Sequence, residues 1–63
     1  MSKMKAKEKY MTQGIGLAIH YAYCIDYNFA ECLFNELNIP LEDYEAVCDP
    51  IDLPYIRKAA AGK

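Results

Sequence analysis

From Tyr10 to Ile25 the chain carries no charged side chain, and over that stretch apolar residues fall on every side of a helix. The overlapping segment GIGLAIHYAYCIDY, from Gly14 to Tyr27, holds Asp26 as its only charge. A helix that is apolar all round is buried on most of its sides. In a chain of 63 residues little else is available to cover it, because small domains bury a modest share of their surface. Small scaffolds compensate with disulfides, a metal, oligomerisation or very regular helix packing. The stretch is also shorter than the roughly 20 apolar residues of a membrane span. Thr12, Gln13 and His20 interrupt it further, so no membrane partner is expected.

The turn residues divide the rest of the chain. No alternating strand pattern of useful length occurs, and the expected fold is all-α, a small bundle of three to four short helices. Residues 1–9, MSKMKAKEK, are expected as a basic flexible tail, or as a first helical turn ordered by contact. Residues 10–63 then form a single small helical domain. The first helix runs from about Thr12 to Asp26. Gly14 and Gly16 each weaken it by roughly 1 kcal/mol against alanine, which close packing would offset.

Asn28 reads as the next helix cap, with Glu31 completing a capping box. That second helix reaches Leu37 and is expected to bury Phe29, Cys32, Leu33 and Leu37. A helical corner follows at Leu37–Pro40: Asn38 tolerates the left-handed conformation at a helix end, and Pro40 cannot continue the preceding helix. A third helix over 41–48 buries Leu41, Tyr44 and Val47, and a fourth, capped by Asp52, buries Leu53, Ile56, Ala59 and Ala60.

The formal charge of −2 conceals a segregated pattern. Between Tyr10 and Ile56 there is no Lys or Arg, while Asp26, Glu31, Glu36, Glu42, Asp43, Glu45, Asp49 and Asp52 all lie there. The bases sit at the ends, as Lys3, Lys5, Lys7 and Lys9, then Arg57, Lys58 and Lys63. Such segregation describes a partner better than net charge does. Glu42, Asp43, Glu45 and Asp49, with Tyr44, are therefore the candidate partner-binding residues, and a basic surface on another protein is the expected partner. Gly14, Ala18 and Ala22 recur every four residues on one helix face. With Tyr21 they are the candidate dimer interface of an expected homodimer.

Chemical sites find little support. Cys24, Cys32 and Cys48 are odd in number and cannot close a disulfide framework within one chain. No ordered signal-peptide pattern appears at the N-terminus, so a reducing cytoplasmic location is expected. His20 and Cys24 stand one helical turn apart, a spacing that suits two ligands on one metal. No C-x-x-C or H-x-x-x-H pair supports them, so neither metal nor cofactor is assigned. A Cys–His nucleophile would lack room for a substrate cleft, and Gly14-Ile15-Gly16 follows no strand and lacks a third glycine. No catalytic residue is assigned, and the chain is not expected to be an enzyme.

Two functions lead, and a third, a purely structural or toxin-modulating subunit, is not separated from the first by any residue. The first is a small acidic protein-interaction module that covers a basic, nucleic-acid-handling protein. In size, charge and helical content, though through no motif, the chain is similar to small proteins of phages and other mobile elements, the anti-CRISPR class among them. That similarity implies an inhibitor or modulator. The alternative is a dimeric helix-turn-helix-like DNA-binding regulator built on the corner at Leu37–Pro40. Its recognition helix would be LEDYEAVC, three acids without a base. DNA binding rests on Lys and Arg at phosphates, so DNA is the disfavoured partner.

Overall fold

A computed structural model describes residues 5–62. Four helices make up the described fold: α1 (Ala6–Ile25), α2 (Tyr27–Leu37), α3 (Leu41–Val47) and α4 (Leu53–Ala61), with no strand among those residues. The fold is a small all-α bundle.

Helix α1 begins six residues before the Thr12 expected from sequence. Glu8, at the third helical position, accepts a hydrogen bond from the backbone N–H of Lys5 at 3.2 Å. Lys9 N–H closes the first turn on the Lys5 carbonyl at 2.9 Å. Ala, Lys and Glu are good helix formers, so the basic segment has no propensity reason to stop short. Residues 6–9, read from sequence as part of a tail or as a first helical turn, are thus helical, and residues 1–4 lie outside the described residues.

Asp26 separates α1 from α2, with an extended backbone (φ −157°, ψ 104°). Its N–H closes α1 on the Ala22 carbonyl at 2.7 Å, and its carboxylate accepts from Asn28 N–H at 3.0 Å. The cap of α2 is therefore Asp26, two residues before the expected Asn28. A carboxylate satisfies the free donors of a helix start and also meets the positive end of the helix dipole. With this start, α2 turns Ala30 and Phe34 inward and leaves Phe29, Cys32 and Leu37 exposed. Of the four residues expected inside, Leu33 alone is half-buried.

The corner at Leu37–Pro40 forms as its residues predict. Asn38 is left-handed (φ 56°, ψ 35°), and Pro40 takes the cap position of α3. Helices α2 and α3 diverge from it and meet through the rings of Phe34 and Tyr44, whose centroids are 5.5 Å apart. Asp49 and Pro50 then turn the chain, with Asp49 Oδ1 accepting from Ile51 N–H at 3.1 Å. Helix α4 buries Ile56 and Ala59 and half-buries Leu53 and Ala60, the stripe expected for it.

The core consists of Ile19, Ala22, Ala30, Phe34, Tyr44, Ile56 and Ala59. Helix α1 is its floor and touches each of the other three helices. Contact is tight at Gly16, where an added Cβ would run into the Cys48 sulfur and come within 3.0 Å of Ile56 Cδ1. Gly14, two residues earlier, has nothing within 4 Å of the same position. The molecule thus covers one side of α1 and leaves the other open.

Candidate interaction surfaces

The acidic surface is built on α3 and the turn after it. Glu42 and Glu45 are exposed on α3, Asp43 is half-buried between them, and Asp49 is exposed beyond the helix. Placing Glu42 and Asp43 in the first turn of α3 suits its dipole. Glu45 already accepts from Arg57 Nε at 2.9 Å, an exposed pair of little energetic weight. The other base of mid-α4, Lys58, stands over the rings of Tyr55 and Tyr23 at 5.7 and 6.0 Å. The segregation seen in sequence is thus relaxed at one point, where Arg57 of α4 meets Glu45, while Lys5, Lys7 and Lys9 are exposed at the start of α1.

Two residues expected at interfaces are internal. Tyr44 is fully buried and cannot touch a partner; its ring fills the space beneath the corner against Phe34. Ala22 is buried in the protein's own core, so it leaves the candidate dimer face. Gly14, Ala18 and Tyr21 remain exposed. The small-residue row splits because the inward face of α1 runs through Thr12, Gly16, Ile19 and Ala22.

A cleft of about 410 Å³ lies between α1 and the α3–α4 connection, lined by Gln13, Leu17, Val47, Cys48, Asp49 and Asp52. Gln13 Nε2 donates to the Val47 carbonyl at 2.7 Å and ties the two sides together. A partly buried His20 bonded to a backbone or acidic group is what the sequence allows, and the structure supplies the acid. Asp52 does not cap α4 with its side chain; its Oδ1 accepts from His20 Nδ1 at 2.7 Å. The His20 ring is stacked on Tyr55, centroids 4.1 Å apart, which holds its plane. Only the acidic character of Asp52 and the isolation of His20 hinted at this pair, which spans 32 positions.

The thiol of Cys48 is oriented toward the Thr12 carbonyl at 3.7 Å. Burial, and then the nearby Asp52 carboxylate, push its pKa up. A protonated thiol is a poor nucleophile and a poor metal ligand. Cys24 and Cys32 are exposed, and no cluster of three or more His, Cys, Asp or Glu suited to a metal occurs among the described residues. No described helix is long and apolar enough to cross a membrane.

Tyr44 carries a pH-dependent consequence. Burial, then Cys48 and Asp43, push its phenol from 10.0 up to about 12. A raised folded-state value means the folded protein keeps a proton that the unfolded chain releases. The stabilisation is intact below the unfolded values, about 9.0 for the thiol and 10.0 for the phenol, and is lost as pH rises through the folded ones. Stability should therefore fall above about pH 9, at up to roughly 1.4 kcal/mol per pH unit for each group in transition. Thermal melts by circular dichroism at stepped alkaline pH check this, and Tyr44→Phe should flatten the fall between about pH 10 and 12.

No known protein family, curated protein or solved structure matches the chain.

Proposed function

We propose that the protein acts by binding: it is a small acidic interaction module that presents α3 and Asp49 to a basic surface, of the kind a nucleic-acid-handling protein carries. The observation that carries this reading is the exposure of Glu42, Glu45 and Asp49 on a stretch without a single Lys or Arg. Clustered charge of one sign steers a partner of the other and sets the encounter rate more than the final affinity. An inhibitor or modulator of the kind that mobile elements carry is one role such a module fills. The same charge argues against the helix-turn-helix reading, since α3 would bring carboxylates to phosphates.

Charge reversal tests the reading. Glu42→Lys combined with Glu45→Lys should weaken capture of the basic partner at least tenfold at low salt while leaving the helical spectrum intact. Both positions are exposed, and the Arg57 pair lost with Glu45 is worth at most about 1 kcal/mol. Capture that survives the reversal unchanged would contradict an acidic docking surface.

A further inference from the structure

The outer face of α1 has no cover in the molecule, and it differs from the rest of the surface. Tyr10, Met11, Leu17, Tyr21 and Ile25 are between 45% and 87% exposed there. Tyr10, Gly14, Leu17, Tyr21 and Cys24 follow one another at steps of four and three, the seam spacing of paired helices. From Tyr10 to Ile25 no charged residue interrupts the face. Gly14 lies at its centre, in a helix interior where glycine weakens the helix, with nothing of its own molecule within 4 Å of a Cβ. The fold itself gives no reason for a glycine at that position.

We infer that this face is covered by α1 of a second copy, running antiparallel, with Tyr21 of each copy seated on Gly14 of the other. Three observations select a second copy. The first is area: at about 200 Å² for a large side chain, the exposed parts of the five residues amount to roughly 600 Å² per copy. A two-fold pair would then bury roughly 1,200 Å², the lower end of stable interfaces. The second is charge. A two-fold contact sets each surface against itself, so a contact through α3 or Glu36 would oppose like charges, whereas the α1 face has none. The third is direction. An antiparallel pair brings the exposed Lys5, Lys7 and Lys9 of one copy to the Asp26 end of the other and opposes the two helix dipoles. It also matches a bulky Tyr21 to a bare Gly14. A parallel pair would set lysine on lysine and Tyr21 on Tyr21. This inference is independent of the acidic-surface reading and uses a different part of the molecule.

Sedimentation equilibrium of the full chain, from micromolar to hundreds of micromolar, tests it. The wild type should be a dimer at the upper concentrations. Gly14→Gln introduces a better helix former that occupies the Tyr21 seat. It should weaken the dimer at least tenfold while the helical spectrum stays unchanged or strengthens. Tyr21→Glu should leave a folded monomer. A wild type that is monomeric throughout overturns the inference, and so does a dimer indifferent to both substitutions. The direction is read by oxidation in a background of Cys32→Ser and Cys48→Ser. Adding Met11→Cys should let the new thiol cross-link to Cys24 of the second copy. Efficient Cys24–Cys24 cross-linking without that addition would overturn the antiparallel arrangement.

Discussion

Gly16→Val is expected to cost about 3 kcal/mol or more, a large share of the stability of a domain this small. At this position the Cβ meets the Cys48 sulfur and approaches Ile56 Cδ1 at 3.0 Å, and valine adds two further methyl groups to the same space. The Cys48 sulfur is not free to swing aside at no cost, because it is oriented on the Thr12 carbonyl. Chemical denaturation followed by circular dichroism would show the loss as a lower midpoint.

A comparison two residues away isolates the cause. At concentrations where the chain is monomeric, Gly14→Ala should raise stability by about 1 kcal/mol, because the position is helical and open within one copy and propensity is then the whole effect. Gly16→Ala should fail to gain and should fall below the wild type. Cys48→Ala should rescue Gly16→Ala in part, since the remaining Cys48 Cβ lies at an ordinary 3.6 Å and only Ile56 Cδ1, at 3.0 Å, must still give way. If both glycine-to-alanine changes stabilise equally, α1 does not approach Cys48 and Ile56 as closely as described.

Tyr44→Ala should cost about 3–5 kcal/mol, the range for removing a large aromatic side chain from a core. Tyr44 is fully buried and joins α3 to α2 through Phe34, so the cavity would open beneath the corner at Leu37–Pro40. Tyr44→Phe should behave oppositely. The Tyr44 hydroxyl is buried without a hydrogen-bond partner, and an unsatisfied buried hydroxyl costs about 1–3 kcal/mol. Its removal should leave stability unchanged or raise it by about 1 kcal/mol. Equal destabilisation by Ala and Phe would show that the hydroxyl is paired and that the packing is different.

The features legible in the sequence were local or compositional. Asn38 before Pro40 announced the corner through backbone conformation, and the α4 stripe followed from helical period in a segment with one apolar face. The charge segregation was visible in a list of positions. Where two faces of a segment were both apolar, periodicity had nothing to choose between. In α2 the expected stripe took in Phe29, and the ring of Tyr44 on another element draws Phe34 inward instead. In α1, Ala18 and Ala22 shared a row, and only packing against the other helices sent Ala22 inward. Asp52 looked like a cap because it precedes a helix, but its partner His20 comes from the far side of the fold. Tyr44 carried two readings, a core residue by helical period and an interface residue by its acidic neighbours on α3, and burial satisfies the first and excludes the second.

The most direct test of the central claim, that this protein works by presenting an acidic surface to a basic partner, is capture from bacterial lysate on tagged full-length protein. Bound proteins would be washed at low and then high salt and identified by mass spectrometry. The account predicts a basic, nucleic-acid-handling protein retained at low salt and released at high salt. Recovery of the bait alone, or of a partner held equally at both salt concentrations, would contradict it.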